Sequence, residues 1–280
     1  MSYIFIPNRL YRMPTHFGPS QGPRQGEAGR TFACVHSHQT TTYSVSFLTE
    51  RRQLDALLPP GFETAGEPVV TLEAGYITQI EWLAGRGYNI LGVQWPARFT
   101  GARDVAEGPF LAVLWENLAD PIMTGREELG YAKIYGELPE PRVLDGVAHI
   151  QAGWLGFTFF EMKVWDLQPL PPAEAAPAPA GAPGVLRGVL HYKYIPKTEE
   201  WGAADVAYAT LTPEGNSQRV VQEAWAGAGW AQFRRARWED LPTQSHIVNA
   251  LAGLEIKEFR GATLVKSYGS KDLSDQRILR

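Results

Sequence analysis

The feature that most constrains the fold of this chain is a series of short runs in which apolar and polar residues alternate, separated by glycine and proline. In one run Tyr43, Val45 and Phe47 would share one face, while Ser44 and Ser46 would share the other. A period of two residues is the pattern of a strand with one buried face. Similar runs occupy residues 69–73, 147–165, 189–195, 205–211, 219–225 and 254–259. We count seven or eight strands, which favours an antiparallel barrel or sandwich.

Three short helices are predicted between these strands. One follows Thr49 and another follows Ser245, both residue types that cap helix N-termini. The third begins with Asp120 and Pro121 and ends before Gly130, which matches the preferred residues at the two ends of a helix. The sequence therefore predicts a mainly β (α+β) protein with a few short helices.

Two segments depart from the alternating pattern. Residues 1–30 are rich in Pro, Gly, Arg and Gln, and predict an extended N-terminal arm that docks on a neighbouring subunit or stays loose. Residues 168–184 hold a Pro/Ala-rich stretch, which predicts a surface loop because strand-like runs flank it on both sides. Residues 31–280 predict a single domain that is long enough to bury its own core.

Composition excludes several classes of function. The 26 Lys and Arg residues against 30 Asp and Glu leave a net charge of −4, without the basic surface of a nucleic-acid-binding protein. No apolar run is as long as a membrane span, and the chain turns polar after Ile6, so we expect neither a membrane segment nor a signal peptide. The single cysteine, Cys34, fits a reducing cytoplasm. No Gly-rich phosphate loop occurs, and we expect no cofactor.

Lys133 lies in a run that returns to period two after Gly130. Tyr131, Lys133 and Tyr135 should therefore point to one side of a strand. A lysine between two tyrosines is either solvated or buried and desolvated, and a lysine is rarely buried without a partner or a function. The pattern alone leaves both interpretations open.

Five segments, in collinear order, resemble the acetoacetate decarboxylase family. Residues 124–133 (TGREELGYAK) are similar to the family's Gly-Arg-Glu…Tyr-Pro-Lys segment, and residues 67–73 (EPVVTLE) to its Glu-Pro…Glu strand. Residues 85–89 (GRGYN) resemble its Gly-x-Gly-x-Tyr turn, and residues 192–196 and 223–227 resemble two later segments. The resemblance spans residues 40 to 265 and leaves out the arm and the Pro/Ala-rich loop.

This resemblance implies a cone-like antiparallel β-barrel that usually assembles into homo-oligomers. It also implies that Lys133 forms an imine with a small keto acid, since it matches the family's nucleophilic lysine. An amine attacks a carbonyl only after it has lost its proton, which is why such lysines are desolvated or lie beside another cation. A protonated imine then withdraws electrons, so that CO₂ or a proton can leave the neighbouring carbon.

The chain departs from the family pattern at three positions. Ile134 stands where well-known members have a second lysine, Ile90 stands nearest to a family glutamate, and Thr40 stands near the place of a family arginine. Because an adjacent residue on a strand points away, the loss of the second lysine is tolerable. The loss of the other two charges makes acetoacetate a doubtful substrate, and we expect larger or less polar keto acids to react better.

The remaining candidate residues come partly from the family motifs and partly from the strand pattern. Two roles are open for Glu73: it shuttles a proton beside Lys133, or it forms a structural ion pair, for example with Arg126. His36 and His38 would share a strand face, but no third ligand is evident, so we expect no metal site. The substrate-binding candidates are Tyr131, Arg126, Tyr88, Ile90, Trp115 and Tyr268.

The sequence thus predicts a carbon–carbon lyase of the acetoacetate decarboxylase-like type, with Lys133 and Glu73 as catalytic residues. One alternative is an aldolase, dehydratase or hydratase that acts on pyruvate-like keto acids through the same imine. An alternative from another class is a non-catalytic barrel that binds a small molecule. Reduction by borohydride separates the last alternative from the first two, because it traps an imine.

Overall fold

A computed structural model describes residues 3–171 and 184–280 of the chain. Most of the predicted Pro/Ala-rich loop lies outside the described residues. Three α-helices occur within these ranges, α1 (Arg51–Asp55), α2 (Ala119–Thr124) and α3 (Ser245–Ala252), and α2 continues as a π-helical turn over Gly125–Leu129. The helices predicted after Thr49, from Asp120 to Gly130 and after Ser245 are therefore present.

Fourteen strands are found in the described part of the chain, which confirms the prediction of a mainly β protein. Their bounds are β1 (Gln39–Leu48), β2 (Phe62–Thr64), β3 (Val69–Thr78), β4 (Tyr88–Thr100), β5 (Val105–Glu116), β6 (Lys133–Tyr135), β7 (Arg142–Leu144), β8 (Val147–Trp154), β9 (Phe157–Pro169), β10 (Val185–Pro196), β11 (Ala204–Pro213), β12 (Val220–Phe233), β13 (Glu258–Tyr268) and β14 (Arg277–Ile278).

The strands form one large mixed sheet. Its order is β14-β11-β10-β5-β4-β3-β1-β13-β12-β9-β8-β7, with β2 paired to β4 and β6 paired to β5. Two pairings, β10 with β5 and β6 with β5, are parallel. The other strand pairings in the described residues are antiparallel, as expected. The end strands β14 and β7 do not pair with each other there, so the expected cone-like barrel is corrected to an open, mixed sheet.

The main core lies on one face of the central strands. Val45, Phe47, Leu72 and Leu91 point into it from β1, β3 and β4, and all four are nearly inaccessible to solvent. Burial of each such side chain contributes about 1.5–3 kcal/mol to folding, before the loss of conformational entropy is subtracted. The alternation that predicted β1 and β3 therefore also builds the core, whereas β4 was not among the predicted strands.

The opposite face of the same strands carries the site described below. Leu91 pairs with Trp115 across β4 and β5, and both belong to the core. Ile90 precedes Leu91 and Glu116 follows Trp115, and these two neighbours also pair with each other. Because successive side chains on a strand point to opposite faces, Ile90 and Glu116 lie on the face opposite the core. No helix in the described ranges is long and apolar enough to cross a membrane.

Candidate active site

Lys133 is held by the turn that precedes it and by its pairing with β5. Gly130 ends the π-helical turn in the left-handed conformation, with φ of 87°, which glycine adopts without strain. The chain then enters β6, where Lys133 pairs in parallel with Leu114. A Cβ atom at Gly125 would lie 2.5 Å from Cε of Lys133 and closer still to Cδ, so the lysine side chain lies directly against the Gly125 backbone.

The ammonium group of Lys133 has two oxygen partners in a buried position. Its Nζ lies 2.8 Å from Oε1 of Glu116 and donates to the carbonyl oxygen of Pro121 at 3.1 Å. The side chains of Lys133 and Glu116 are 8% and 1% exposed. The solvated alternative for Lys133 is therefore wrong, and the buried alternative is confirmed.

Glu116 is the carboxylate that faces the lysine. Burial raises the pKa of Glu116, although the charge of Lys133 lowers it in part. Its second oxygen, Oε2, is buried and has no hydrogen-bond partner among the described residues. Leaving a buried polar oxygen unpaired is costly, so Glu116 is well placed to take a proton or to accept a hydrogen bond from a ligand.

The two side chains line a cavity of about 170 Å³. This volume is below the usual range for drug-sized ligands and suits a small molecule. Most of the lining is apolar, and it combines residues from the sheet, from α2, from the N-terminal arm and from the C-terminal segment. They include Pro23, Cys34, Ile77, Trp82, Tyr88, Ile90, Leu114, Tyr131 and Lys271.

Tyr131 forms one wall of this cavity, and His191 and Thr212 hold it on the side away from the cavity. Nζ of Lys133 lies 5.4 Å from the centre of the Tyr131 ring, close enough for a cation–π interaction. The ring of His191 stacks on Tyr131 with 4.1 Å between the ring centres. The hydroxyl groups of Tyr131 and Thr212 are 2.8 Å apart. The aromatic wall beside the lysine is therefore held by both stacking and hydrogen bonding.

Three of the predicted substrate-binding residues, Tyr88, Ile90 and Tyr131, line the cavity together with Lys133. Glu73 does not line it. Its Oε2 accepts a hydrogen bond from the amide of Gln94 at 2.7 Å, and burial raises its pKa. The prediction that Glu73 serves Lys133 is therefore corrected: the structure places Glu116 beside the lysine.

Arg126, Trp115 and Tyr268 also lie outside the cavity. Arg126 is exposed and donates to the backbone oxygen of Lys133 at 2.9 Å, which supports the start of β6. Trp115 is buried in the main core, and its Nε1 donates to Gln244 at 2.7 Å. Tyr268 lies on β13 and stacks against His36. These three predicted contacts to a substrate are corrected to structural roles.

Sequence reasoning missed Glu116 and the contribution of the N-terminal arm. The available signal for Glu116 was its position at the end of an apolar run, two residues after Leu114 and so on the same strand face. Pro23 and Cys34 reach the cavity from the arm and from the segment that follows it. Burial raises the pKa of the Cys34 thiol, which keeps it protonated. Among the described residues, no group of three metal-ligand side chains was found.

Comparisons with known proteins place these observations in a family context. The family model described as acetoacetate decarboxylase matches residues 12–266, and it begins within the predicted arm. No curated protein matches the chain in sequence. The family resemblance predicted from the five motifs is confirmed by the family match.

Several solved structures share the fold. An acetoacetate decarboxylase from Legionella pneumophila subsp. pneumophila str. Philadelphia 1 has a TM-score of 0.64 at 19% identity, over 91% of this chain and 92% of that one. An acetoacetate decarboxylase-like enzyme from Sphingomonas wittichii RW1 has a TM-score of 0.60 at 18% identity, over 84% and 91%. The enduracididine biosynthesis enzyme MppR, complexed with the condensation product of pyruvate and imidazole 4-carboxaldehyde, has a TM-score of 0.60 at 17% identity, over 92% and 97%. Identities this low show a common fold and no more.

Proposed function

The chain belongs to the acetoacetate decarboxylase family, and we propose that it is a lyase that forms a Schiff base between Lys133 and a small keto acid. The observation that carries this proposal is the buried pair of Lys133 and Glu116, with 2.8 Å between Nζ and Oε1, at the wall of a small and largely apolar cavity. Functional lysines are commonly found in such desolvated positions.

The first step would be proton transfer within this pair. A neutral amine beside a neutral acid carries less buried charge than an ion pair, and burial already raises the pKa of Glu116. Glu116 would take one proton from Nζ, and the freed lone pair would attack the carbonyl carbon of the substrate. The nitrogen of the adduct would pass one of its two protons to the new oxygen, which becomes a hydroxyl. Glu116 would then return its own proton to this hydroxyl, so that water leaves and a protonated imine remains beside a carboxylate.

The second step would use the imine as an electron sink. The bond between the neighbouring carbon and its carboxylate breaks in a decarboxylation, and its electrons move into the imine to give an enamine. Leu114, Ile90 and Pro121 line the cavity close to this pair. An apolar lining solvates a carboxylate poorly and therefore favours its loss as neutral CO₂.

A second candidate reaction is the aldol or dehydration chemistry of pyruvate-like keto acids. The unpaired Oε2 of Glu116 favours it, because an enamine forms from pyruvate only when a base removes a proton from the methyl carbon. The family fold also occurs in MppR, which has been complexed with pyruvate and with a condensation product of pyruvate. Both reactions share the imine of Lys133 and differ in the bond that breaks next.

Trapping with borohydride tests the shared step. Incubation with pyruvate or acetoacetate followed by reduction should add the mass of the substrate at Lys133, as located by peptide mass spectrometry. The matched control is Lys193, which lies outside the cavity and whose pKa is lowered by partial burial. Lys133→Met should abolish trapping and Lys193→Met should preserve it. Labelling of Lys193, or no labelling at all, would contradict the proposal, and the latter result favours a non-catalytic binding protein.

Product analysis separates the two reactions. We expect acetoacetate to release CO₂ at least about a hundredfold less efficiently than with a family decarboxylase. The resemblance implies a charged group at Ile90, which lines the cavity, and another near Thr40, each worth about 1.5–3 kcal/mol. Pyruvate with an aldehyde should then give the faster reaction. Rapid CO₂ release from acetoacetate would instead favour plain decarboxylation.

A further inference from the structure

The hydroxyl group of Thr212, behind the aromatic wall of the cavity, contacts three polar groups. Its Oγ1 lies 2.8 Å from the Tyr131 hydroxyl, 3.0 Å from Nε2 of His191 and 2.7 Å from Oε1 of Gln276. Thr212 and His191 are buried. A threonine hydroxyl has one hydrogen to donate and two lone pairs to accept with, so three contacts use its full capacity. Knowing which contact takes the hydrogen of Thr212 therefore fixes the direction of all three hydrogen bonds.

The carbonyl oxygen of Leu129 fixes the first direction. It can only accept, and Nε2 of Gln276 lies 2.9 Å from it. The NH₂ group of the Gln276 side chain must therefore face Leu129, which turns its oxygen toward Thr212. Because that oxygen also only accepts, the single hydrogen of Thr212 is donated to Gln276.

The other two contacts must then be donated to Thr212. The hydroxyl of Tyr131 donates its proton to Oγ1, and Nε2 of His191 donates a second one. Burial lowers the pKa of His191 to about 3, so the ring carries one proton only, and this proton is on Nε2. Nδ1 of His191 is consequently bare, and it is buried without a hydrogen-bond partner in the described ranges.

We propose that Gln276 is a positioning residue that fixes the Tyr131 hydroxyl as a donor to Thr212 and so anchors the ring that lies 5.4 Å from Nζ of Lys133. Tyr131 then presents its ring to the cavity. Glu116 is left as the acid and base of the site. The kinetic consequence of this inference rests on the proposed Schiff-base function, whereas the hydrogen-bond directions do not.

The kinetic test is a double-mutant cycle between Gln276 and Tyr131. In Gln276→Leu the hydrogen of Thr212 is free to turn to Tyr131, so the phenol hydroxyl is no longer held as a donor and the ring beside Nζ of Lys133 is less firmly anchored. The rate constant of imine formation at saturating pyruvate should fall about fivefold, with the half-saturation concentration changed by less than about twofold. In a Tyr131→Phe background the same substitution should change the rate by less than about twofold, because the proton it controls is gone. An equal loss in both backgrounds would show that Gln276 acts only on stability and would overturn the proposal.

If Gln276→Leu does not fold, two substitutions of Thr212 test the same proposal. Thr212→Ser retains the hydroxyl and should keep the rate within about twofold, whereas Thr212→Val removes it and should slow imine formation about fivefold, again only when Tyr131 is present. Equal rates for the two variants would overturn the proposal.

The tautomer of His191 gives a readout that does not depend on any reaction. Nitrogen-15 NMR of the histidine-labelled protein should show a proton on Nε2 and none on Nδ1 at neutral pH. A proton on Nδ1 would overturn the deduced hydrogen-bond directions even if imine trapping succeeds. If trapping fails while the Nε2 tautomer is observed, the proposed function is wrong and the hydrogen-bond directions stand.

Discussion

Two lysines, Lys133 and Lys271, reach the same cavity, and they differ in what holds their ammonium groups. Nζ of Lys271 lies 2.7 Å from the Asp275 carboxylate and donates to the carbonyl oxygens of Pro213 at 2.6 Å and Gly215 at 2.8 Å. Three acceptors match its three N–H groups, so its hydrogen-bonding capacity is used up.

Lys133 has one carbonyl partner and one carboxylate partner, so one of its three N–H groups has no acceptor in the described part of the chain. The first arrangement holds a structural cation in place. The second leaves the amine incompletely bonded, as a nucleophile requires before its substrate arrives. We therefore expect the reactivity of a lysine in this cavity to depend on its partners and not on its access to the cavity.

The largest difference between the two lysines should appear in the rate of imine formation when each amine is removed in turn. Lys133→Met should lower the rate of imine formation with pyruvate by about a thousandfold or more, because the nucleophile is lost. Lys271→Met should keep the rate within about tenfold, since that substitution removes only a structural ion pair. Stopped-flow absorbance of the imine would give both rates. Equal losses in the two variants would remove the distinction between the lysines.

The partner carboxylates should differ in the same direction. Glu116→Gln keeps the size of the side chain but removes the proton acceptor, and should slow imine formation about a hundredfold, within the usual range for a general acid or base. Asp275→Asn is the matched control beside Lys271 and should slow it by less than about threefold. Steady-state turnover together with thermal unfolding of both variants gives the check. A fast Glu116→Gln variant would leave Lys133 without an identified proton acceptor.

Gly125→Ala tests how closely the backbone surrounds Lys133. Gly125 has helical dihedral angles, φ −63° and ψ −44°, so alanine introduces no backbone strain there. The new Cβ atom would meet Cδ and Cε of Lys133 and push the amine away from Glu116. We expect imine formation to slow about tenfold while the melting temperature changes little, because the neighbour is a flexible side chain. An unchanged rate of imine formation would show that the Gly125 backbone does not constrain the position of the Lys133 side chain.

Glu73→Gln should have the smallest effect on chemistry and a measurable effect on stability. Burial raises the pKa of Glu73 above the ordinary value near 4.3, so between these two values the folded state holds a proton that the unfolded chain releases. The free energy of unfolding contributed by this group therefore falls as pH rises through that window. The Glu73→Gln protein lacks this titration and should be more stable than the parent protein at neutral pH, with imine formation changed by less than about twofold. Denaturant unfolding at several pH values would show it, and a large kinetic loss would return Glu73 to the active site.

The parts of the molecule that sequence could predict are those governed by local chemistry. The alternation in β1 depends on one strand and one buried face, and the turn before Lys133 depends on Gly130 and its left-handed conformation. Lys133 itself was found through the motif of residues 124–133. The mainly β class and the nucleophile candidate were therefore available without a structure.

The proton acceptor was not available in the same way. Glu73 and Glu116 both lie at strand positions that face away from the core, and β3 is separated from β5 by β4 in the sheet. Only the parallel pairing of β6 with β5 brings Glu116 to Lys133. Such a pairing depends on the register of distant segments, which a local pattern does not encode. Sheet closure was missed for the same reason, while homo-oligomer assembly and a cytoplasmic location stay predictions.

The most direct test of the central claim is detection of the bond between Lys133 and a substrate. Protein labelled with nitrogen-15 lysine would be mixed with pyruvate labelled with carbon-13 at its keto carbon. We expect a one-bond carbon–nitrogen coupling in the NMR spectrum, which persists in the Lys271→Met protein and disappears in Lys133→Met. A spectrum that shows only free pyruvate and its hydrate, or a coupling that survives in Lys133→Met, would contradict the assignment of Lys133 as the nucleophile.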